Sequence, residues 1–418
     1  MRGNEGMLSA YQILDLTNER GLICGKVLAD LGADVIKVEK PGGDPARSIG
    51  PFFHDQLDPE KSLFWFAFNT SKRGITLDIE TADGRAIFER LVRSADIVIE
   101  SFDPGYMDKL GLGYSNLIQI NPKLVMTSIT GFGQTGPYKD FKAPDFIVWA
   151  LSGVLYIVGD PDRPPLAPGF PQSYLFGAMQ GAVGTMVALY HRHIRGHGQH
   201  VDVSAQMAAC IMSQPEVQGV WDLEKKIMPR LGRIRQRPGT NVRTPLLWQC
   251  KDGDVSFIIF LGAATANSNA RLAEWIVSEG MGSDVFRRID WKTLGWDEMI
   301  QELADEVVGV ISKFFMKHTK AELFEGSTKR GIALCPLLTP KDLLEFEHLA
   351  ARNYWVEIEH PELGTNITYP GAFIKSTETV CGISRRAPRI GEHNEEIYVK
   401  GLGLSIEEVI TLRQSGVI

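Results

Sequence analysis

The sequence predicts an α/β fold, a large domain on a parallel, doubly wound sheet with a smaller α/β domain after it. Two observations lead there. Short apolar runs alternate with segments of helical periodicity through the first half of the chain, and strands that alternate with helices assemble into parallel sheets. The chain is also 418 residues long, beyond the roughly 250–300 residues at which a single core stops growing.

Residues 11–16 (YQILDL) read as the first strand, and 21–31 as a helix with Leu22, Ile23, Val27, Leu28 and Leu31 at helical spacing. Residues 35–38 and 75–79 read as the second and third strands. Residues 81–95 form a helix with Ile87, Phe88, Leu91 and Val92 on one face; 96–100 (DIVIE) and 124–129 (LVMTSI) are strands of the buried type. A long helix follows at 173–195, whose Gly177, Ala178, Gly181, Ala182 and Gly184 suit close backbone packing, then a strand at 200–203 and a helix from Ser204. The large domain is thus expected over 1–224, with a basic linker at 225–244. A smaller domain is expected over 245–330, with a strand at 255–260 and helices at 269–278 and 296–315. Residues 331–418, extended and rich in turns, are expected to rejoin the large domain.

Composition narrows the function. A hydrophobic share of 44% and a charged share of 23% are ordinary for a soluble globular protein. No run of about 18 apolar residues exists to span a membrane, and residues 1–8 lack the apolar stretch of a secretion signal. The five cysteines, Cys24, Cys210, Cys250, Cys335 and Cys381, are odd in number, far apart and without a C-x-x-C pair. That argues against a disulfide framework or a zinc site and for a cytoplasmic protein. The net charge of −7 disfavours nucleic acid as a partner, though not a local basic pocket for an anionic ligand.

Three local patterns carry modest readings. Gly131, Gly133 and Gly136 match G-x-G-x-x-G after a strand, but Pro137 and the polar residues 139–142 follow, so no helix opens as dinucleotide binding requires. His191, His193, His197 and His200 cluster, yet Arg192 and Arg195 are interleaved, and a polar helix end is the better reading than a metal site. Lys225, Lys226, Arg230, Arg233, Arg235 and Arg237 read first as a solvated linker, second as contacts to a phosphate-bearing ligand or a partner subunit. No G-x-S-x-G, Walker A or H-E-x-x-H motif occurs.

Six ordered blocks are more specific. "LADLGADVIKVEKPGGDPAR" (28–47), "FNTSKRGITLDI" (68–79), "IESFDPGYMDKLGLGY" (99–114), "NPKLVMTSITGFGQTGPY" (121–138), "RGHGQHVDVSAQ" (195–206) and "APRIGEHNEEI" (387–397) resemble the family III CoA-transferases in order and spacing. The resemblance implies a Rossmann-like large domain plus a smaller α/β domain, with two chains interlocked as rings. It also implies coenzyme A and acyl-CoA as substrates, with no permanently bound cofactor and no metal. Positions matching the family's CoA contacts are Glu19, Arg20, Gly21, Lys40, Ser101, Phe102, Lys109 and Lys142. Each lysine taken singly is an ordinary surface charge; the resemblance alone nominates it. Lys40 stands where many relatives have Arg, which stacks flat on adenine as an ammonium does not. Ser101 stands where Asn is usual, and Asp103 where Arg or Gly is common.

In the family an Asp carboxylate attacks the donor thioester. Counted from Ser152-Gly153 through Pro164-Pro165, its position falls on Tyr174, and no Asp or Glu lies between Asp162 and Asp202. A phenol with a reference pKa near 10 is ionised to roughly one part in a thousand at pH 7, so Tyr174 reads as a packing or ligand-lining residue. The family's racemase branch uses a His where Pro144 stands; Asp145 beside it reads as structural or as an acid near the site. The opening "LDLTNERGLICGKVLADLGADVIKVEKPGGD" (14–44) resembles the two-chain branch that passes CoA from succinyl-CoA to benzylsuccinate in anaerobic toluene breakdown, which implies a homologous, Asp-bearing partner subunit. A self-sufficient enzyme using Asp145 or Tyr174, and a non-catalytic CoA-thioester-binding subunit, are the alternatives.

Overall fold

In a computed structural model the described residues are 5–211, 219–227, 229–236, 242–259, 266–295 and 298–418. They form two units: Met1–Leu155, Ala167–Lys225 and Glu347–Ile418 in one, Tyr156–Leu166 and Lys226–Phe346 in the other.

The first unit is built on a six-stranded parallel sheet of β1 (Gln12–Leu16), β2 (Asp34–Glu39), β3 (Arg73–Thr76), β4 (Ile97–Glu100), β5 (Val125–Thr130) and β6 (His200–Ser204), in the order β3-β2-β1-β4-β5-β6. Its strands are apolar on both faces because helices cover both. Ile13, Val35, Ile97, Ile99 and Ile129 face one core with Cys24 and Leu28 of α1 (Leu22–Asp30). Leu14, Ile36, Val98 and Met126, one residue out of phase, face a second core with Ile87, Phe88, Leu91 and Val92 of α2 (Ala82–Ser94). Burying each such side chain stabilises the fold by about 1.5–3 kcal/mol. The Thr81 hydroxyl accepts from the Gly84 amide at 2.9 Å and starts α2. After β4 come α3 (Tyr106–Lys109) and α4 (Tyr114–Ile120). After β5 come α5 (Asp145–Leu151), the long α6 (Ser173–Arg195) and, beyond β6, α7 (Ala205–Ile211).

The third strand departs from its expected bounds, ending at Thr76 rather than residue 79. The Leu77 amide still donates to the Glu39 carbonyl at 2.6 Å, but the Asp78 amide turns to the Val417 carbonyl at 2.7 Å, so the C-terminal residues draw the chain off the ladder.

In the second unit β7 (Ile234–Gln236) pairs antiparallel with β8 (Arg243–Pro245). Beside them β9 (Leu247–Cys250), β10 (Gly253–Phe257) and β11 (Leu334–Pro336) form an antiparallel sheet, β11-β10-β9. It packs on α8 (Ala266–Ser278), α9 (Gln301–Phe315) and α10 (Lys320–Arg330). Three expectations change. Tyr156–Leu166, expected within the large domain, belongs to this second unit. Residues 225–244 are not a plain linker: β7 and β8 are ordered there, Arg230 donates to the carbonyls of Tyr156 and Asp160, and Arg233 pairs with Asp254. The unit also runs past 330, because Val255 pairs with Pro336. The helix expected at 296–315 begins at Gln301, where Ile300 is still extended; residues 296–297, residue 260 at the end of the strand expected there, and Arg237 lie outside the described residues. Among the described residues, no helix is long and apolar enough to cross a membrane.

Candidate functional site

Strand order reverses direction between β1 and β4. The loops that leave their carboxyl ends diverge to opposite faces, and the crevice between them is where open parallel sheets hold ligands. A cleft of about 610 Å3 opens there, lined by Asn18, Arg20, Lys40, Gly43, Ser101, Phe102, Asp103 and Tyr106 among others.

The loop after β1 is held from below. Asp15, fully buried, accepts from the Thr17 amide at 2.9 Å and hydroxyl at 2.6 Å and pairs with buried Lys72 at 2.8 Å. Lys72 also donates to the Leu22 carbonyl at 2.9 Å. Lys37, likewise buried, joins the Thr17 carbonyl to Asp44 of the loop after β2. Isolated, these charges would be costly to bury; paired and hydrogen-bonded, they fix two loops to one sheet edge. Across the crevice the Ser101 hydroxyl accepts from the Asn18 amide and donates to the Asn18 carboxamide oxygen, both at 2.9 Å. The Ser101 side chain therefore ties the two loops together across the crevice. Gly21 opens α1 so tightly that a Cβ would lie 2.5 Å from Thr17 Cγ2.

Of the sequence-nominated positions, Arg20, Lys40, Ser101 and Phe102 share the cleft wall, with Gly21 just behind. Arg20 Nη1 lies 3.2 Å from Asp103 Oδ1, and Lys142 Nζ 3.4 Å from Asp103 Oδ2. Lys40 pairs with Glu80 at 2.9 Å, and Glu80 also accepts from the Tyr106 hydroxyl at 2.6 Å. Phe102 and Tyr106 set their rings 4.6 Å apart on the wall. Glu19 and Lys109 are exposed and do not line the cleft.

Sequence reading missed Asn18, Glu80, Tyr106 and Glu100. Glu100 ends β4 directly behind the cleft wall; its carboxylate accepts from the Phe102 amide at 2.7 Å. Burial raises its pKa to about 7, against the lowering hydrogen bonds from Ser128 and Phe102. Ser128 in turn bonds His200 Nε2 at 2.9 Å, and the Tyr114 ring stacks on His200 at 5.5 Å. The signal was there, an acid closing the apolar run DIVIE.

Tyr174 sits in the first turn of α6, buried, its hydroxyl donating to the Ala143 carbonyl at 2.5 Å. Burial pushes the phenol up to about 12, although the Arg20 guanidinium 5.6 Å from the ring centre acts the other way. Gly131 permits this packing: a Cβ there would lie 2.2 Å from that of Ala143 and 3.0 Å from the phenol oxygen. Asp145 accepts from the Ser173 amide and hydroxyl, both at 2.7 Å, so its carboxylate caps α6. No helix opens within Gly131–Gly136; the Gln134 amide donates to Asp202 at 3.0 Å. His191 and His197 meet edge to face at 5.6 Å. Among the described residues no cluster of three or more His, Cys, Asp or Glu converges on a metal position, and no disulfide joins Cys24, Cys250, Cys335 or Cys381.

The chain is similar to known proteins over nearly its whole length. The family model described as CoA-transferase family III matches residues 8–394. The chain is 35% identical to the BbsE subunit of succinyl-CoA:(R)-benzylsuccinate CoA-transferase from Thauera aromatica, over 98% of each chain. It is 32% identical to the succinyl-CoA–D-citramalate CoA-transferase of Chloroflexus aurantiacus, over 95% of this chain and 94% of that one. With the beta subunit of that organism's succinyl-CoA–L-malate CoA-transferase it shares 30%, over 94% of each. A solved CAIB/BAIF family protein from Brucella suis superposes with a TM-score of 0.80 at 26% identity, over 95% of this chain and 99% of that one. The central sheet, the cleft at its reversal point and the near full-length matches lead to one assignment: the chain belongs to CoA-transferase family III.

Proposed function

We propose that this chain is one subunit of a two-chain cytoplasmic CoA-transferase that moves CoA from succinyl-CoA to a carboxylic acid of the benzylsuccinate type, the nucleophilic Asp coming from a homologous partner chain. Tyr174 carries the proposal. At the position that the spacing of flanking blocks matches to the family's Asp stands a neutral phenol whose proton is committed to the Ala143 carbonyl, and whose burial makes it a weaker acid still. Asp145, the carboxylate bonded to the neighbouring Ser173, is spent on capping α6. Subunits among the relatives, BbsE and the malate enzyme's beta chain, favour a two-chain enzyme. So does the outer face of α6, where Val183, Val187, Tyr190 and Ile194 stand 56–69% exposed; a stripe of this kind marks a protein interface.

In the partner's site the Asp attacks the succinyl-CoA carbonyl, forming a mixed anhydride and releasing CoA thiolate. The thiolate attacks the aspartyl carbonyl, freeing succinate and leaving an aspartyl-CoA thioester. The acceptor carboxylate attacks that thioester, forming a second anhydride and again releasing thiolate. Attack of this thiolate on the acceptor's acyl carbon gives the product thioester and regenerates the Asp. This chain's cleft would hold CoA through Arg20, Lys40, Ser101 and Phe102, and so position a thioester or complete the shared enzyme. The test is exchange of labelled succinate into succinyl-CoA by the purified chain, with and without its co-expressed homologue. An inert lone chain and an active, co-eluting pair are expected; comparable turnover by the lone chain would overturn the reading.

A further inference from the structure

We infer that Asp103 is a built-in counter-anion that occupies the cleft's cationic mouth and must be displaced before an anionic ligand binds. The inference rests on the CoA-binding reading above and names the residue that sets affinity and its dependence on salt.

The charges at the mouth cancel: Arg20, Lys40 and Lys142 are set against Asp103, Glu80 and Glu19, whose carboxylate lies 4.0 Å from Arg20 Nε. Arg20 and Lys40 line the cleft, and Lys142 reaches its edge through Asp103. Asp103 holds Arg20 at one carboxylate oxygen, 3.2 Å away, and Lys142 at the other, 3.4 Å away. Glu80 holds Lys40 at 2.9 Å. The acids deeper in the lining are already matched: Glu39 takes a fork of bonds from buried Arg47, and Asp44 pairs with buried Lys37. A phosphate arriving here meets cations that are each engaged, and therefore no net attraction.

Asp103 and Glu80 differ in how firmly they are placed. Glu80 also accepts the Tyr106 hydroxyl. The Asp103 side chain is 64% exposed, and its two carboxylate bonds go to Arg20 and Lys142. Two cations bridged by one exposed carboxylate form a fork that a phosphate, with more oxygens and more charge, fills better. Exchange of Asp103 for a ligand phosphate keeps both cations paired and returns the aspartate to water. The ligand class is an organic phosphate or pyrophosphate; the cleft's Phe102 and Tyr106 rings admit a planar base beside it. Neutralising one carboxylate about 4 Å from a bound phosphate removes a repulsion worth about fivefold in binding in water, more where the cleft excludes it.

Calorimetric titration of CoA, and separately of inorganic pyrophosphate, into wild type, Asp103→Asn and Asp103→Glu tests this at low and at near-physiological salt. Asp103→Asn is expected to bind both probes about five- to tenfold more tightly at low salt, with a steeper loss as salt rises; Asp103→Glu is expected to bind like wild type. Unchanged or weaker pyrophosphate binding by Asp103→Asn overturns the inference. Enhanced pyrophosphate binding without any CoA binding leaves Asp103 as a counter-anion but sinks the CoA reading. A shift in melting temperature without a change in salt slope marks Asp103 as merely structural and also overturns the inference.

Discussion

Glu100 is held by a packing requirement rather than by a charge partner. It closes an apolar strand, and its carboxyl lies behind the cleft wall, bonded to the Phe102 amide and to Ser128. Its pKa in the fold, about 7, lies above the usual 4.5 because burial penalises the charged form. The folded state therefore binds the proton more tightly than the unfolded chain does. This contribution to stability is fully present below about pH 4.5 and is lost as pH rises through about 7, by at most about 3 kcal/mol. Glu100→Gln should flatten that slope: melting temperatures from pH 5 to 8 should fall less for the variant than for wild type, and parallel curves would refute the assignment. The same burial weakens Tyr174 as an acid, and a neighbouring arginine does not reverse it. Tyr174, Ser101 and Asp103 are each legible in the sequence as residues. The hydrogen bonds that give each its role join positions far apart in sequence, such as Asn18 to Ser101 and Tyr174 to Ala143.

The long helix α6 shows what one element can encode. No proline interrupts residues 173–195, and the helix ends at Gly196, whose φ of 82° suits a helix stop. Its small residues face inward: a Cβ at Gly177 would lie 3.1 Å from Ala205, and one at Gly181 3.1 Å from Ile129 Cδ1. A larger side chain there forces β5, β6 and α7 away from the helix. Gly177→Leu gains helix propensity of up to about 1 kcal/mol, against about 1–3 kcal/mol or more of overpacking. Net destabilisation is expected, read as a lower denaturation midpoint at unchanged slope; a variant as stable as wild type would show that the close approach is not needed. The third strand ends earlier than its sequence pattern because apolar residues 77 and 79 continue the pattern while the Asp78 amide between them donates to the Val417 carbonyl. Period cannot tell a ladder partner from a C-terminal one.

At the scale of the whole molecule, the apolar outer stripe of α6 makes a prediction about assembly. Val187→Asp places a charge on an exposed position of the lone chain, where it costs little. If a partner chain covers that face, the variant should keep the wild-type melting temperature alone yet lose co-elution with the homologue. Retained co-elution would move the interface elsewhere. The sequence by itself determined the α/β class, the alternation of strands and helices that makes the parallel sheet, and the family. Those features are local, written in periodicity, turn residues and ordered blocks. Only the tertiary structure decided that the strand order reverses between β1 and β4, that residues 226–244 and β11 belong to the second unit, and that Asp103 stands between Arg20 and Lys142. Strand order and charge pairing depend on which distant segments meet. Many pairings satisfy one hydrophobic pattern, and burial of both sheet faces selects among them.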